Sequence, residues 1–296
     1  MNVRPLTRSD AGLVAAIAAA DEEALRGHPS RTQARDVLSW WTRVDFDRES
    51  WLFEEDGEPV AFGWFELHGD IGTYVGVVAQ GQKGRGHGAA LVELGESAAR
   101  TAQAAKIHTW APTEDAAAAS LFAARGYREV RRFYEMAIEL QQEPAAPTVP
   151  EPFVLEPFRD GDARAFHATM NEAFQDHWEW HGLPFDEWWE MRQGQEADEA
   201  GPLWFVVRDG DEMAACIRNE ANRNGGGFVG LIGVRRPWRG RGLAKALLHR
   251  TFAEFWRRGT PRVSLGVDAE SPTGATKLYE SVGMTVESAM AVFEKE

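Results

Sequence analysis

Short apolar stretches alternate along this chain with segments whose apolar residues recur at helical spacing. Residues 228–234 are almost entirely apolar or glycine, which is typical of a buried strand. Residues 243–252 carry apolar side chains three and four positions apart, which favours a helix. Residues 261–268 alternate apolar and polar side chains and predict a further strand. The pattern of this region is therefore strand, loop, helix and strand.

The same succession of patterns occurs twice. Residues 4–11 align with residues 156–163, and Gly84-Arg85-Gly86 aligns with Gly240-Arg241-Gly242. The copies lie about 155 residues apart, which exceeds the ~20–50 residues of solenoid repeats and indicates duplicated domains.

A proline-rich stretch separates the copies. Residues 141–152 contain four prolines, which neither a helix nor an inner strand tolerates. We therefore predict two domains, 1–140 and 153–296, joined by a semi-extended linker over 141–152.

Each copy predicts an opening strand, a helix, a hairpin, a central strand, a helix, a strand, a helix and a last strand. Strands and helices that share one sheet in this way indicate an α/β fold for each copy. The main predicted segments are helices at 11–26, 33–43 and 162–175, hairpins at 51–67 and 203–219, central strands at 73–78 and 228–234, and later strands at 106–111, 131–140, 262–268 and 287–293.

A basic loop with two glycines, residues 235–242, joins the strand at 228–234 to the next helix. Glycines let the backbone approach an anion, and the first N–H groups of a helix have no partner within it. The helix dipole adds positive potential, so the loop predicts a pyrophosphate cradle with Arg239 and Arg241 as mobile cationic donors. Leu243-Ala244 exclude a Walker loop, and Lys245 excludes the dinucleotide fingerprint.

Two motifs in the second copy resemble those of the GNAT N-acetyltransferase superfamily. Residues 239–244 match its acetyl-CoA loop, Gln/Arg-x-x-Gly-x-Gly/Ala. Residues 271–284 resemble its closing motif, Asn-x-x-Ala-x-x-Leu-Tyr-x-x-x-Gly-Phe, with Ser271 at the Asn position and Met284 at the Phe position. The resemblance implies two tandem GNAT-like domains, each with a central mixed, mostly antiparallel sheet flanked by helices.

The resemblance also implies acetyl-CoA as co-substrate and a direct attack of an amine on the thioester. Tyr279 falls where the family has the hydroxyl that protonates the leaving thiolate, so it is the expected catalytic residue. The expected acetyl-CoA-binding residues are Ile232, Val234, Arg239, Gly240, Arg241, Gly242, Leu243, Ala244 and Ser271, with Gly84, Gly86 and Gly88 as the corresponding glycines of the first copy.

The first copy lacks the tyrosine hydroxyl. Phe122 occupies the position of Tyr279 and cannot donate a proton, while Lys83 replaces Arg239. Tyr127 follows Gly126 and is expected in the core. We therefore expect turnover in the C-terminal copy and a degenerate N-terminal copy that either binds acetyl-CoA or only packs against the other.

An aromatic segment, residues 176–189, follows the first helix of the second copy and is a candidate acceptor pocket. The expected substrate-contacting residues are His177, Glu179, Asp186 and Asp268. Packing between the copies is the alternative role of the aromatic side chains. The base that deprotonates the amine stays open, and the candidates are Asp268, Glu270, Glu179, His177, His181 and ordered water. No metal is expected, because Trp178 replaces the glutamate of a zinc helix.

Composition narrows the class of partner. The net charge of −14 argues against nucleic acid, and no apolar run approaches the ~18 residues of a membrane span. The single cysteine, Cys216, and the absence of a signal-like segment favour the cytoplasm. We predict an N-acetyltransferase acting on a small-molecule or peptide primary amine; the alternative is a non-catalytic acyl-CoA-binding sensor or interaction protein.

Overall fold

A computed structural model describes residues 1–41, 44–194 and 203–296. Its helices are α1 (Ala11–Arg26), α2 (Ala34–Trp40), α3 (Phe46–Glu49), α4 (His87–Thr101), α5 (Ala116–Ala124), α6 (Ala163–Phe174), α7 (Phe185–Gly194), α8 (Leu243–Arg257) and α9 (Ala275–Glu280). Its strands are β1 (Asn2–Arg4), β2 (Ser50–Glu55), β3 (Glu58–His68), β4 (Ile71–Val78), β5 (Lys106–Pro112), β6 (Arg128–Glu139), β7 (Val154–Pro157), β8 (Trp204–Asp209), β9 (Glu212–Arg223), β10 (Gly226–Val234), β11 (Arg262–Asp268) and β12 (Thr285–Lys295). None of the helices in the described ranges combines the length and the apolar character that a membrane crossing requires.

The first compact unit comprises residues 1–133 and 288–296. Its strands run in the order β1-β2-β3-β4-β5-β12, and only β4 and β5 are parallel. One cluster of buried side chains includes Val14 of α1 and Trp41, and another includes Tyr74 of β4 and Phe122 of α5. The apolar faces of the helices therefore cover the central strands, as the periodicity predicts.

The second unit comprises residues 134–287 and repeats this plan. Its strands run in the order β6-β11-β10-β9-β8-β7, with β7 to β10 antiparallel in succession and β10 parallel to β11. Leu247 and Phe252 of α8 are fully buried against the strands. The predicted α/β class, with mixed and mostly antiparallel sheets, is confirmed.

The unit boundaries differ from the predicted domain boundaries by one strand at each end. Residues 141–152 form neither helix nor strand, as their prolines predict. Tyr134–Glu139 of β6 nevertheless belongs to the second unit, where Met136 is fully buried, and Ser288–Lys295 of β12 belongs to the first. The reason is pairing, because Met290 to Lys295 run antiparallel to β5 and bury Phe293 beside Phe122.

Smaller differences concern short elements. The patterns do not predict α3 or α7. Helix α2 is shorter than the predicted 33–43, of which residues 42 and 43 lie outside the described residues. The second hairpin turns at Gly210-Asp211, one residue later than the Asp209-Gly210 turn that the sequence predicts, because Asp209 still pairs with Glu212.

The aromatic segment at 176–189 packs within the second unit. Trp188 is 8% exposed and its ring stacks on Phe166, with centroids 6.1 Å apart. Trp180, Phe185 and Trp189 pack against the same cluster. The first unit has an equivalent, since Trp41 is buried edge-on to Trp64. These tryptophans cover the cores of their own units.

We expect Trp188→Ala to lower the free energy of unfolding by about 3–5 kcal/mol, the usual effect of deleting a buried aromatic ring. Denaturant unfolding followed by circular dichroism measures this. Trp178→Ala is the matched control, because the half-buried Trp178 is not a member of that cluster. Equal losses in the two variants would contradict the burial argument.

Candidate functional site

The two parallel strands of the second unit separate where β10 approaches its C-terminal end. Their pairing runs from Gly227–Val263 to Val229–Leu265 and then stops, although both strands continue and are fully described. The register of β10 with β9 also shifts between Val229 and Leu231. Gly230 is therefore an extra residue in β10, a β-bulge, next to the point where the pairing with β11 stops.

The separated edge of β10 presents backbone donors to the gap. The Arg235 N–H donates to the Ala214 carbonyl on β9 at 3.0 Å. Because N–H groups alternate in direction along a strand, the N–H groups of Val234 and Ile232 point away from β9 and towards β11. Both residues were expected to contact the co-substrate. The sequence does not determine which way their N–H groups point, and the structure does.

The loop after β10 has the backbone of an anion cradle. Gly240 and Gly242 adopt φ angles of 74° and 81°, and an added Cβ would meet no atom within 4 Å at either position. Gly242 is the N-cap of α8, and the first helical bond runs from the Ala246 N–H to its carbonyl. The N–H groups of Leu243, Ala244 and Lys245 precede that bond and have no helical carbonyl to use.

The two arginines of the loop differ in their contacts. Arg239 donates to the carbonyls of Val234 and Ala173, each at 3.1 Å, and pairs with Asp176 at 3.2 Å. It is therefore a clamp between the loop and the end of α6, and the prediction that its side chain is mobile is wrong. Arg241 makes no ion pair within the described ranges and lies 5.8 Å from the centre of the Phe153 ring.

A cleft of about 500 Å³ opens beside this loop, within the range usual for small-molecule sites. Its lining residues are Asp176, Arg239, Pro272 and Thr273. Ser271, expected in the co-substrate site, neighbours this lining, and its hydroxyl is 2.9 Å from that of Thr273. The start of the closing motif and the basic loop thus border the same cleft.

Tyr279 is buried on α9 in the core of the second unit, 6% exposed. Burial raises the pKa of its hydroxyl well above the ordinary value, so it keeps its proton at neutral pH. The hydroxyl forms no hydrogen bond with the residues that the structure describes. The hydroxyl therefore has a proton that it can donate, while its raised pKa makes it a weaker acid than an exposed tyrosine.

Of the four expected substrate contacts, the structure brings two together. Asp268 ends β11 and is buried, and its negative charge raises the pKa of His177 against the larger, opposing effect of burial. Glu179 is half-buried in the segment after His177, with a φ of 51°. Asp186 lies exposed in the first turn of α7.

The first unit has the same loop backbone but different side-chain pairing. Gly84 and Gly86 have φ angles of 80° and 94°, and Gly88 lies within α4. Lys83 bridges Asp21 at 2.5 Å and Asp115 at 3.2 Å, and Arg85 pairs with Glu55 at 2.8 Å. The cations that flank this cradle are thus already neutralised by the unit's own carboxylates.

The neighbouring strands and the closing motif differ as well. The register of β3 with β4 is regular from Ala61–Val78 to His68–Ile71, without the extra residue of β10. Phe122 replaces the tyrosine and packs between Tyr74, Tyr127 and Phe293. Tyr127 is buried, as expected.

Comparison with known families identifies the family to which both copies belong. The model of the acetyltransferase (GNAT) family matches residues 15–127 and 163–284, one stretch in each copy. The chain belongs to the GNAT family. It is an acetyltransferase with two GNAT domains in tandem.

Relatives agree with this assignment along most of the chain. A mycothiol acetyltransferase of Nocardiopsis dassonvillei is 30% identical over 78% of this chain and 77% of its own length. One of Thermomonospora curvata is 32% identical over 71% of this chain and 69% of its own length.

Solved structures have the same fold. A GCN5-related N-acetyltransferase from Sphaerobacter thermophilus has a TM-score of 0.87 and 33% identity, over 100% of this chain and 95% of that one. A tandem GNAT protein from the clavulanic acid pathway has a TM-score of 0.75 at 16% identity, over 100% and 98%, and supports the fold alone.

The bulge is the site feature that the sequence analysis missed. Its signal was Gly230, an isolated glycine inside an otherwise strand-like run, which often marks a bulge. An added Cβ there would lie 2.6 Å from a carboxylate oxygen at the end of the flexible Glu220 side chain.

We expect Arg239→Ala to lower the free energy of unfolding by about 1–2 kcal/mol, because three hydrogen bonds from a partly exposed cation are lost. Chemical unfolding followed by tryptophan fluorescence measures the change. Arg241→Ala is the matched control and should stay within about 0.5 kcal/mol. The clamp assignment fails if Arg241→Ala is the more destabilising substitution.

Proposed function

We propose that this GNAT protein transfers the acetyl group of acetyl-CoA to a primary amine, and that the second unit carries the reaction. The observation that carries the proposal is the gap beside β10, bordered by the Ile232 and Val234 N–H groups and followed by the open cradle at the start of α8. A thioester lying in such a gap would meet donors on one side and a pyrophosphate site at its far end.

The proposed division of labour follows from these contacts. The N–H groups of residues 240–244 and the Arg241 guanidinium bind the pyrophosphate. The N–H groups of Ile232 and Val234 hold the pantetheine arm and polarise the thioester carbonyl, while Ser271 borders the same cleft. Tyr279 donates its proton to the sulfur as the C–S bond breaks.

The differences between the units favour the second for turnover. It has the Gly230 bulge, the uncommitted Arg241 and the Tyr279 hydroxyl, whereas the first has a regular β4, paired Lys83 and Arg85, and Phe122. We infer that the first unit does no chemistry.

The acceptor is proposed to be a small molecule with a primary amine. The relatives named mycothiol acetyltransferases support a small molecule over a peptide. Among the predicted contacts, His177 and Asp268 are the better supported, because His177 follows the lining residue Asp176 and Asp268 begins the turn that leads to Pro272 and Thr273. Glu179 and Asp186 remain predictions.

A panel of amines incubated with acetyl-CoA, with release of free thiol recorded, tests the function. The panel comprises an amino sugar, an aminoacyl amide, a polyamine and a peptide with a free amino terminus. Tight acetyl-CoA binding without thiol release for any amine would favour the non-catalytic sensor instead.

The co-substrate site can be tested with one matched pair of variants. Gly242→Asp adds a carboxylate to the cradle of the second unit, and Gly86→Asp adds it at the equivalent N-cap of the first. Both positions have a positive φ and open space, so the backbone strain is comparable. We expect calorimetry to show acetyl-CoA affinity lost in Gly242→Asp and turnover unchanged in Gly86→Asp. The reverse pattern, in folded proteins, would move the reaction to the first unit.

The proton donor can be tested by exchanging the two aromatic residues. Tyr279→Phe should lower kcat roughly 10²-fold, the contribution of one proton-transfer group. Acetyl-CoA affinity should hold, because the ring and its packing remain. Phe122→Tyr should leave kcat unchanged. Wild-type turnover in Tyr279→Phe would remove Tyr279 from the mechanism.

A further inference from the structure

His177 directly follows Asp176, which lines the cleft, and is held by contacts within its own segment. Its backbone N–H donates to the Phe174 carbonyl at 2.9 Å, and its imidazole stacks on the Phe174 ring with centroids 4.2 Å apart. The Phe174 ring in turn covers Gly233 of β10, where an added Cβ would lie 3.6 Å from a ring carbon. The imidazole is thereby fixed near the end of β10, close to Gly233, which lies between Ile232 and Val234.

Asp268 reaches the same region from the neighbouring strand. It is the last residue of β11, and the parallel strands β10 and β11 end at the same edge of the sheet. Its side chain is buried and accepts from the Glu270 N–H at 2.9 Å, while its carbonyl accepts from the Ser271 N–H at 3.1 Å. These bonds fix the carboxylate at the start of the turn that borders the cleft.

Three charged groups act on the His177 imidazole. Burial lowers the pKa of His177, Asp268 raises it, Arg239 lowers it and Asp176 raises it, in decreasing order of effect. Arg239 and Asp176 also pair with each other, so their effects on the ring largely offset. The pKa of His177 therefore lies below its ordinary value, and the imidazole is neutral at pH 7.

We propose that His177, held by the Phe174 ring and the Phe174 carbonyl near the end of β10, is the general base that deprotonates the acceptor amine. This assignment rests on the proposed function. His177 is one of the candidate bases that the sequence leaves open, and Asp268 is the charged group that acts on it. The β10 strand itself contains no carboxylate that could take this role.

The proton balance is as follows. The imidazole takes one proton from the ammonium group and later releases it to water. The neutral amine then attacks the thioester carbonyl, forming the C–N bond as the C–S bond breaks. The sulfur takes the Tyr279 proton, and the second proton lost by the nitrogen returns through solvent to Tyr279. Asp268 stabilises the transient imidazolium by the same interaction that raises the pKa of His177.

The first test is a pH profile of kcat/KM with the panel amine that wild type acetylates fastest. Wild type should lose activity as the pH falls through the His177 pKa, because the protonated imidazole cannot accept. His177→Gln should lower kcat roughly 10²-fold at pH 7 and recover at high pH, where the amine deprotonates unaided. Asp268→Asn should move the acid limb to lower pH, since the charge that raises the His177 pKa is gone.

His249→Gln is the matched control. His249 lies on α8, outside the cleft lining, and burial likewise lowers its pKa. This variant should leave the profile unchanged. A purely structural role of His177 would lower the melting temperature of His177→Gln without any recovery at high pH.

A second measurement needs no acceptor. Nuclear magnetic resonance titration of labelled histidines should find His177 below its ordinary pKa and lower still in Asp268→Asn. If the His177 pKa in Asp268→Asn equals that in wild type, the proposed interaction of His177 with Asp268 is contradicted. This result does not depend on how either variant behaves in the activity assay. If wild type releases thiol with no amine, the proposed function fails and the base role with it. If wild type turns over and His177→Gln matches it, only the base role fails.

Discussion

The site depends on a single break in hydrogen bonding between two parallel strands. In a continuous sheet the N–H groups of β10 would be satisfied by β11, and no ligand could compete for them. That pairing ends after Val229, beside the extra residue at Gly230, and the donors of Ile232 and Val234 face a gap. The loop and α8 follow the end of the same strand, so strand donors and helix donors succeed one another along the chain.

Much of the fold was accessible from periodicity and from the internal repeat, because apolar spacing fixes which faces are buried. Helix α1 matches its predicted bounds, and β10, β11 and α8 lie where the patterns predict them. The patterns could not predict which strand or side chain a given segment contacts. Nothing in residues 285–295 distinguishes pairing with β5 from pairing within their own copy, and nothing in Arg239 distinguishes a clamp from a mobile donor. Both outcomes depend on contacts between residues far apart in sequence.

The same limit applies to the candidate site. The motifs predict the cradle and Tyr279, since local backbone geometry and family pattern are written in consecutive residues. The association of His177 with Asp268 joins positions 91 residues apart and has no local signal. Duplication compounds the difficulty. The two loops have nearly the same glycine geometry, but Arg85 of the first pairs with Glu55, whereas the equivalent Arg241 has no ion pair among the described residues.

Residues 288–296 complete the first unit, and this order of assembly has a consequence for synthesis in the cell. The ribosome makes β1 to β5 first, yet the strand that pairs with β5 and buries Ala291 and Phe293 emerges only after the whole of the second unit. Domains usually fold as they emerge, N-terminal first. Here the first unit keeps an open sheet edge at β5 until residues 288–295 have emerged, whereas the second unit already has all of its residues when Glu287 has emerged. The unit whose synthesis begins first is therefore completed second.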